Sequence, residues 1–217
     1  MMTRKIDRRS FVKTTTVIGA CLASGGILPV MGMTKDPGSQ ENIHIIGPRE
    51  GFSPQVGTLL SMMTWMRTVV LSSVENMTKD ELDYLHDAES NTIGAMLLHL
   101  AATERIYQIG TFNWKVGFKG DGKIDWEAAM ALGDKGRKQI KGNNLDYYIN
   151  ILTETRATTI DEFGQRDDKW LAKVDPAFFQ NMPTNNYCKW FHVCEHESNH
   201  NGQIKWIKSR IASTNKK

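Results

Sequence analysis

The sequence predicts an all-α fold: a four-helix bundle with a long crossover between helices two and three, preceded by a signal peptide and a polar linker. Four stretches of roughly 20 residues carry apolar side chains three and four positions apart, the period of a helix with one buried face. No stretch alternates convincingly with period two, and no Asn-Gly or Asp-Gly pair sits between two apolar runs, so strands are expected to be absent or minor. A glycine- and charge-rich segment, 111–143, separates the second stretch from the third and is long enough to cross over the bundle.

Composition supports one such core. The chain has 217 residues, 40% hydrophobic and 24% charged, with three cysteines, too few for a disulfide framework. The formal charge is +3, but residues 1–13 hold five basic groups and one acid, which leaves the rest one charge negative. With no Lys/Arg-rich run or basic stripe to follow a phosphate backbone, nucleic acid is not expected as a partner.

Residues 1–34 read as a signal peptide. Asp7 to Lys13 (D-R-R-S-F-V-K) precede a segment, 14–34, without a single charge, the order of a charged and then an apolar signal region. Gly19, Gly25, Gly26, Gly32 and Pro29 make that segment a poor spanning helix, so it is expected to be removed and not to anchor. Arg8-Arg9 followed by Ser10-Phe11-Val12-Lys13 resembles the twin-arginine (Tat) export motif, which implies the Tat translocase as a partner and a periplasmic destination. Cys21, in I-G-A-C, resembles a lipoprotein cleavage box and offers membrane anchoring by lipidation as the alternative, although the apolar run before it is short. Residues 35–53 form a polar linker with an extended piece expected at His44 to Ile46.

The bundle is expected over 54–213. Ser53-Pro54 opens helix one, about 54–75, with Val56, Leu59, Leu60, Met63, Met66 and Val70 inward. Thr78 with Glu81 forms a capping box for a short helix. Asn91 or Thr92 starts helix two, about 92–110, on Ile93, Met96, Leu97, Leu100 and Tyr107. The crossover has room for a short helix near 126–140. Leu145, Tyr148, Ile149, Leu152, Ile160 and Phe163 mark helix three, about 144–166, and Trp190, Val193, Ile204, Ile207 and Ile211 mark helix four, about 185–212.

The chemistry gathers on two of these helices. His192, His196 and His200 are spaced by four and share one face of helix four. Gln203 and Ile207 return to nearly the same direction, which is expected to turn the stripe inward. His99, among apolar neighbours on helix two, can supply a further imidazole. Three neutral nitrogens with open positions beside them make a catalytic metal site, and bundle interiors are where such sites are built. Against this stands a plain packing role for each histidine taken singly.

The segments H-V-C-E-H-E-S-N-H-N-G-Q-I (His192 to Ile204) and I-G-A-M-L-L-H-L-A-A-T-E (Ile93 to Glu104) resemble the DinB-like (DinB/YfiT-like) superfamily of metal-binding four-helix bundles. The resemblance implies an up-down-down-up bundle that often forms a homodimer. It implies a divalent transition metal, nickel or zinc foremost and iron or manganese as alternatives, on His99, His196 and His200. His192 and Gln203 then belong to the surroundings of that metal. Many members read His-Arg-Gly-Gln where this chain has His200-Asn201-Gly202-Gln203, so a cation beside the site is missing.

The expected function is that of an exported metal-dependent hydrolase or thiol transferase that activates water or a thiol, with a non-catalytic metal- or small-ligand-binding bundle as the alternative. Export leans toward hydrolysis, because the thiol pool of the cytoplasm is left behind. No acid or base is assigned. Glu104, Glu195 and Glu197 point away from the histidines on ideal helices and are expected at the surface or in interhelical salt bridges. Arg156 is expected to be paired with an acid or to snorkel. Cys188 and Cys194 are expected as small buried residues that cannot bond to each other.

Overall fold

The computed structural model describes residues 43–112, 117–120 and 122–214, the side chains of 212–214 excepted. The segment expected to be a signal peptide, with Arg8, Arg9 and Cys21, and the first part of the expected linker lie outside the described residues. Eight helices and one hairpin follow among those described: α1 (Pro54–Val74), α2 (Lys79–Leu82), α3 (Ile93–Thr111), α4 (Trp126–Ala131), α5 (Gly133–Gln139), α6 (Leu145–Phe163), α7 (Asp168–Ala172), β1 (Val174–Phe179), β2 (Met182–Asn185) and α8 (Asn186–Thr214). None of these helices is long and apolar enough to cross a membrane.

The four long helices start where the sequence places them, two of them through a cap of their own. Thr92 accepts the amide of Ala95 at 3.1 Å at the start of α3, and Asn144 accepts that of Tyr147 at 3.0 Å at the start of α6. Ser53 makes no cap of its own. Its hydroxyl donates instead to Asp168 Oδ1 at 2.7 Å, and that same oxygen accepts the amides of Gln55 and Val56 at 2.9 and 3.2 Å. A carboxylate from α7 thus serves the N-terminus of α1, where the helix dipole favours an anion.

Contacts between side chains fix the directions. Arg67 on α1 meets Glu197 on α8 and Lys208 meets Ser73, so α1 and α8 run parallel. Trp190 meets Thr111 and His99 meets His196, so α3 and α8 run antiparallel. Arg156 meets Glu104 and Gln108 meets Thr159, so α3 and α6 run parallel. The order is therefore up-down-down-up. Two consecutive long helices that point the same way need a connection running back along the bundle, which is the physical reason for the segment between α3 and α6. It carries two short helices, not one. Leu132, at a φ of 51°, breaks them apart.

The core is divided. One apolar cluster holds Val70, Leu97, Leu100, Tyr148, Leu152 and Ile204, and the other holds Leu59, Met63, Tyr107, Phe163, Trp190 and Val193. Between them every long helix contributes one charge: Arg67 from α1, Glu104 from α3, Arg156 from α6 and Glu197 from α8. Arg67 reaches Glu104 at 2.9 Å and Glu197 at 2.6 Å, and Arg156 reaches Glu104 and Glu197 at 2.8 Å each. The remaining guanidinium donors go to the carbonyls of Leu152 and Met63, at 2.8 and 3.0 Å. Burial alone would raise the carboxyl of Glu104, but Arg156 and Arg67 outweigh it and hold the group below the usual range. The set is neutral, although Glu197 Oε2 is buried without a hydrogen-bond partner; such a set adds little net stability over an apolar layer, yet breaking it is expensive, so it fixes the register of four helices at once.

One expectation is corrected. His44 to Ile46 form no strand, and Ile45 and Ile46 stand exposed in a turn-rich approach to α1. A minor strand pair lies elsewhere, antiparallel, with Val174 opposite Asn185, Asp175 opposite Thr184 and Phe179 opposite Met182. Its register shifts between Asp175 and Phe179, and its turn places Gln180 and Asn181 at φ of 51° and 58°. That turn geometry is the one favoured in hairpins, here made without glycine.

Candidate metal centre

The antiparallel seam between α3 and α8 brings His99 to His196 and His200. One ligand atom from each of the three lies within 4.8 Å of the others, and this is the one such histidine, cysteine or carboxylate group among the described residues. His99 is oriented by the crossover: its Nδ1 meets the carbonyl of Ala129 on α4 at 2.9 Å. A carbonyl only accepts, so Nδ1 carries the proton and Nε2 is left with its lone pair facing His196, whose Nε2 is 2.8 Å away. His200 is oriented by Gln203, whose Oε1 lies 3.2 Å from its Nδ1, while the Gln203 amide donates to Asn199 at 3.0 Å.

All three imidazoles stay neutral. Burial pushes His196 down to about 3, aided by its histidine neighbours, and His200 down to about 4. Burial also lowers His99, against the pull of its backbone bonds to Ala129 and Met130. Three neutral imidazoles, two of them fixed by a hydrogen bond on the far side of the ring, are the donor set that zinc, nickel or a related divalent ion accepts. The residues fit the group.

The stripe is less buried than its period suggested. His200 is buried, but His192 and His196 are half-buried and Gln203 is exposed. The histidines occupy the wall of the bundle, and the interior behind them belongs to the layer of arginines and glutamates. His192 does not join the three. Its Nδ1 meets the Tyr107 hydroxyl at 2.8 Å, and its ring lies 5.2 Å from that of His196. Cys188 sits one turn before His192 on that same stripe and is exposed, contrary to expectation, whereas Cys194 is buried. Glu195 is exposed, and Glu104 and Glu197 are the interhelical ion-pair groups anticipated. Arg156 is paired and does not snorkel. Asn201, the residue after His200, is buried.

A cleft of about 530 Å³ opens beside the site. Gln203 belongs to both, since it lines the cleft and holds His200. Glu89, Ser90, Asn91, Met96, Asn199 and Trp206 complete most of the wall, and among the described residues no lysine or arginine lines it. No single residue of that wall has a motif, so only the neighbourhood of the last histidine could have drawn attention to it.

The model of a family described as mycothiol-S-transferase matches residues 58–213, which take in α3 and nearly all of α1 and α8 with the three histidines. No curated protein matches the chain.

Proposed function

The chain belongs to the mycothiol-S-transferase family, a DinB-like family, and from that premise we propose that it is a metal-dependent thiol transferase acting on mycothiol or a thiol built like it. The observation that carries this reading is the meeting of three neutral imidazoles at one point on the bundle wall. A divalent ion held there, nickel or zinc before iron or manganese, favours the thiolate over the thiol. His99, His196 and His200 hold it, and Ala129 and Gln203 orient two of those rings. In the reaction the thiol gives up its proton, its sulfur bonds to an electrophilic carbon, and either a leaving group departs with its electron pair or, in an addition to a double bond, that bond's π pair moves to the neighbouring atom, which takes up the proton.

The surroundings support a thiol over water. A free thiol ionises near 8.5 and needs modest help, whereas water at about 15.7 needs far more. Glu104 and Glu197, the buried carboxylates nearest in sequence to the ligands, are committed to Arg67 and Arg156. The cleft supports a hydroxyl-rich carrier for the sulfur that bears no negative charge, since the one charge among the described residues of its lining is the Glu89 carboxylate. Amides at Asn91, Asn199 and Gln203 can pair with hydroxyls, the Trp206 indole offers an apolar face, and a carboxylate-bearing thiol would find no cation in the wall.

The proposal extends to the leader and the assembly. Residues 1–34 direct the folded, metal-loaded protein through the Tat translocase, and two copies form a homodimer; because export leaves the cytoplasmic thiol pool behind, this combination requires that the thiol be supplied outside the cytoplasm. The test of function is incubation of the zinc- or nickel-loaded protein with mycothiol and an alkylating electrophile, followed by mass spectrometry. A thioether formed faster than in the protein-free control supports the reading. A loaded protein that forms none overturns it.

A further inference from the structure

A transferase needs room for two reactants, and the cleft beside Gln203 lies at only one end of the histidine stripe. At the other end, next to His192, stands the hairpin. In a regular strand consecutive side chains point to opposite faces, yet Phe178 and Phe179 both turn toward the helices. Phe178 lies 6.1 Å from the ring of Tyr107, Phe179 lies 5.5 Å from that of His192, and the two phenyl rings meet edge-on at 4.9 Å. The register shift just before Phe179 re-aims them, a use of bulges that is frequent beside sites.

The hairpin is pinned in this position. Lys189 on α8, buried, pairs with Asp175 at 3.0 Å and lies over the Phe178 ring at 4.0 Å from its centre. Asn186 ties the base of the hairpin through its amide to Lys173 and through its side chain to Trp170. Phe178 is therefore held from beneath. Phe179 is half-buried, packed on Phe178 and His192, and is the ring of the pair nearest to His196 through that histidine.

We propose that Phe179, backed by Phe178 and Tyr107, forms the wall against which the electrophile lies, and that it selects electrophiles with a flat, apolar body. This rests on the thiol-transferase reading and adds the second substrate class to it. The surface offers ring faces and edges with no spare charge among the described residues, since the Lys189 ammonium is spent on Asp175. Such a surface favours an aromatic or conjugated body over a small polar one.

Two measurements on the metal-loaded full chain test it. The first titrates 1,3-dinitrobenzene, a flat ring without a leaving group, into the wild type, Phe179→Ala and Phe179→Trp, with metal content checked in each. The wild type binds, Phe179→Ala binds about tenfold more weakly and Phe179→Trp recovers most of the loss. Equal binding by Phe179→Ala, or none by the wild type, overturns the wall. The second compares mycothiol transfer to 1-chloro-2,4-dinitrobenzene, where sulfur displaces chloride and the thiol proton passes to water, with transfer to iodoacetamide. Phe179→Ala lowers the preference for the aromatic electrophile about tenfold, and an unchanged preference overturns the inference. Should the wild type transfer to neither electrophile, the thiol-transferase reading fails, while the dinitrobenzene titration still decides the wall.

Discussion

The Nε2 atoms of His99 and His196 face each other 2.8 Å apart across the seam between α3 and α8. The carbonyl of Ala129 takes the only proton of the His99 ring, so His196 donates to His99 in the metal-free chain. A divalent ion bound here would take the place of that proton, with the lone pairs of both nitrogens turned to it. The separation of 97 residues between these two atoms is bridged by the fold alone.

Removal of any one of His99, His196 or His200 as alanine is expected to abolish tight metal binding. His192→Ala and Gln203→Ala should weaken it by about tenfold to a hundredfold, the usual cost of losing a residue that supports a ligand. Competitive titration against a colorimetric chelator measures all five. Equal loss at His192 would make it a fourth ligand.

Arg67→Met should destabilise the fold by about 3–5 kcal/mol, because Glu104 and Glu197 then remain buried with half their compensation. Replacing Arg67, Glu104, Arg156 and Glu197 together by apolar residues of similar volume should cost much less. Urea unfolding compares the two. A quadruple variant weaker than the single one would mean that the charged layer adds stability in its own right.

The stability of the metal-free protein should fall with pH below about 6.5. His196 and His200 accept protons at about 3 and about 4 in the fold, against 6.5 ordinarily, so the unfolded chain binds more protons throughout that window and gains from acid. Above 6.5 neither state binds them and the dependence vanishes. Glu104, held below its ordinary 4.5, adds its own loss only as the pH falls through that lower range. Urea midpoints should be flat between about pH 8 and 7 and should drop toward pH 5. The drop should shrink in His196→Gln with His200→Gln, and an identical slope in that variant would assign the effect to other groups.

Arg8→Lys with Arg9→Lys should leave the precursor in the cytoplasm, as detected by fractionation and immunoblotting. Normal export of that variant would remove the Tat assignment.

Much of this was legible in the sequence, because a helix with one buried face repeats its apolar positions and a histidine every fourth residue stays on one side of it. The three histidines could be grouped from spacing and resemblance, and the long connection from its length and glycines. The central layer was not legible as a unit. Each of Arg67, Glu104, Arg156 and Glu197 is a single charge on its own helix, and only the packing of all four shows that they meet. The hairpin escaped because its bulge destroys the alternation that marks a strand and its turn uses Gln180-Asn181 in place of the usual Asn-Gly. Cys188 was misplaced because it shares its direction with the half-exposed histidine stripe, not with the buried Trp190, Val193 and Cys194.

Elemental analysis of the untagged protein, purified from its own host, beside the His196→Ala variant, tests the three-histidine centre most directly. The account predicts one equivalent of nickel, zinc or another divalent transition metal in the wild type and none in the variant. A folded wild type without metal, or a variant that keeps its full equivalent, would contradict it.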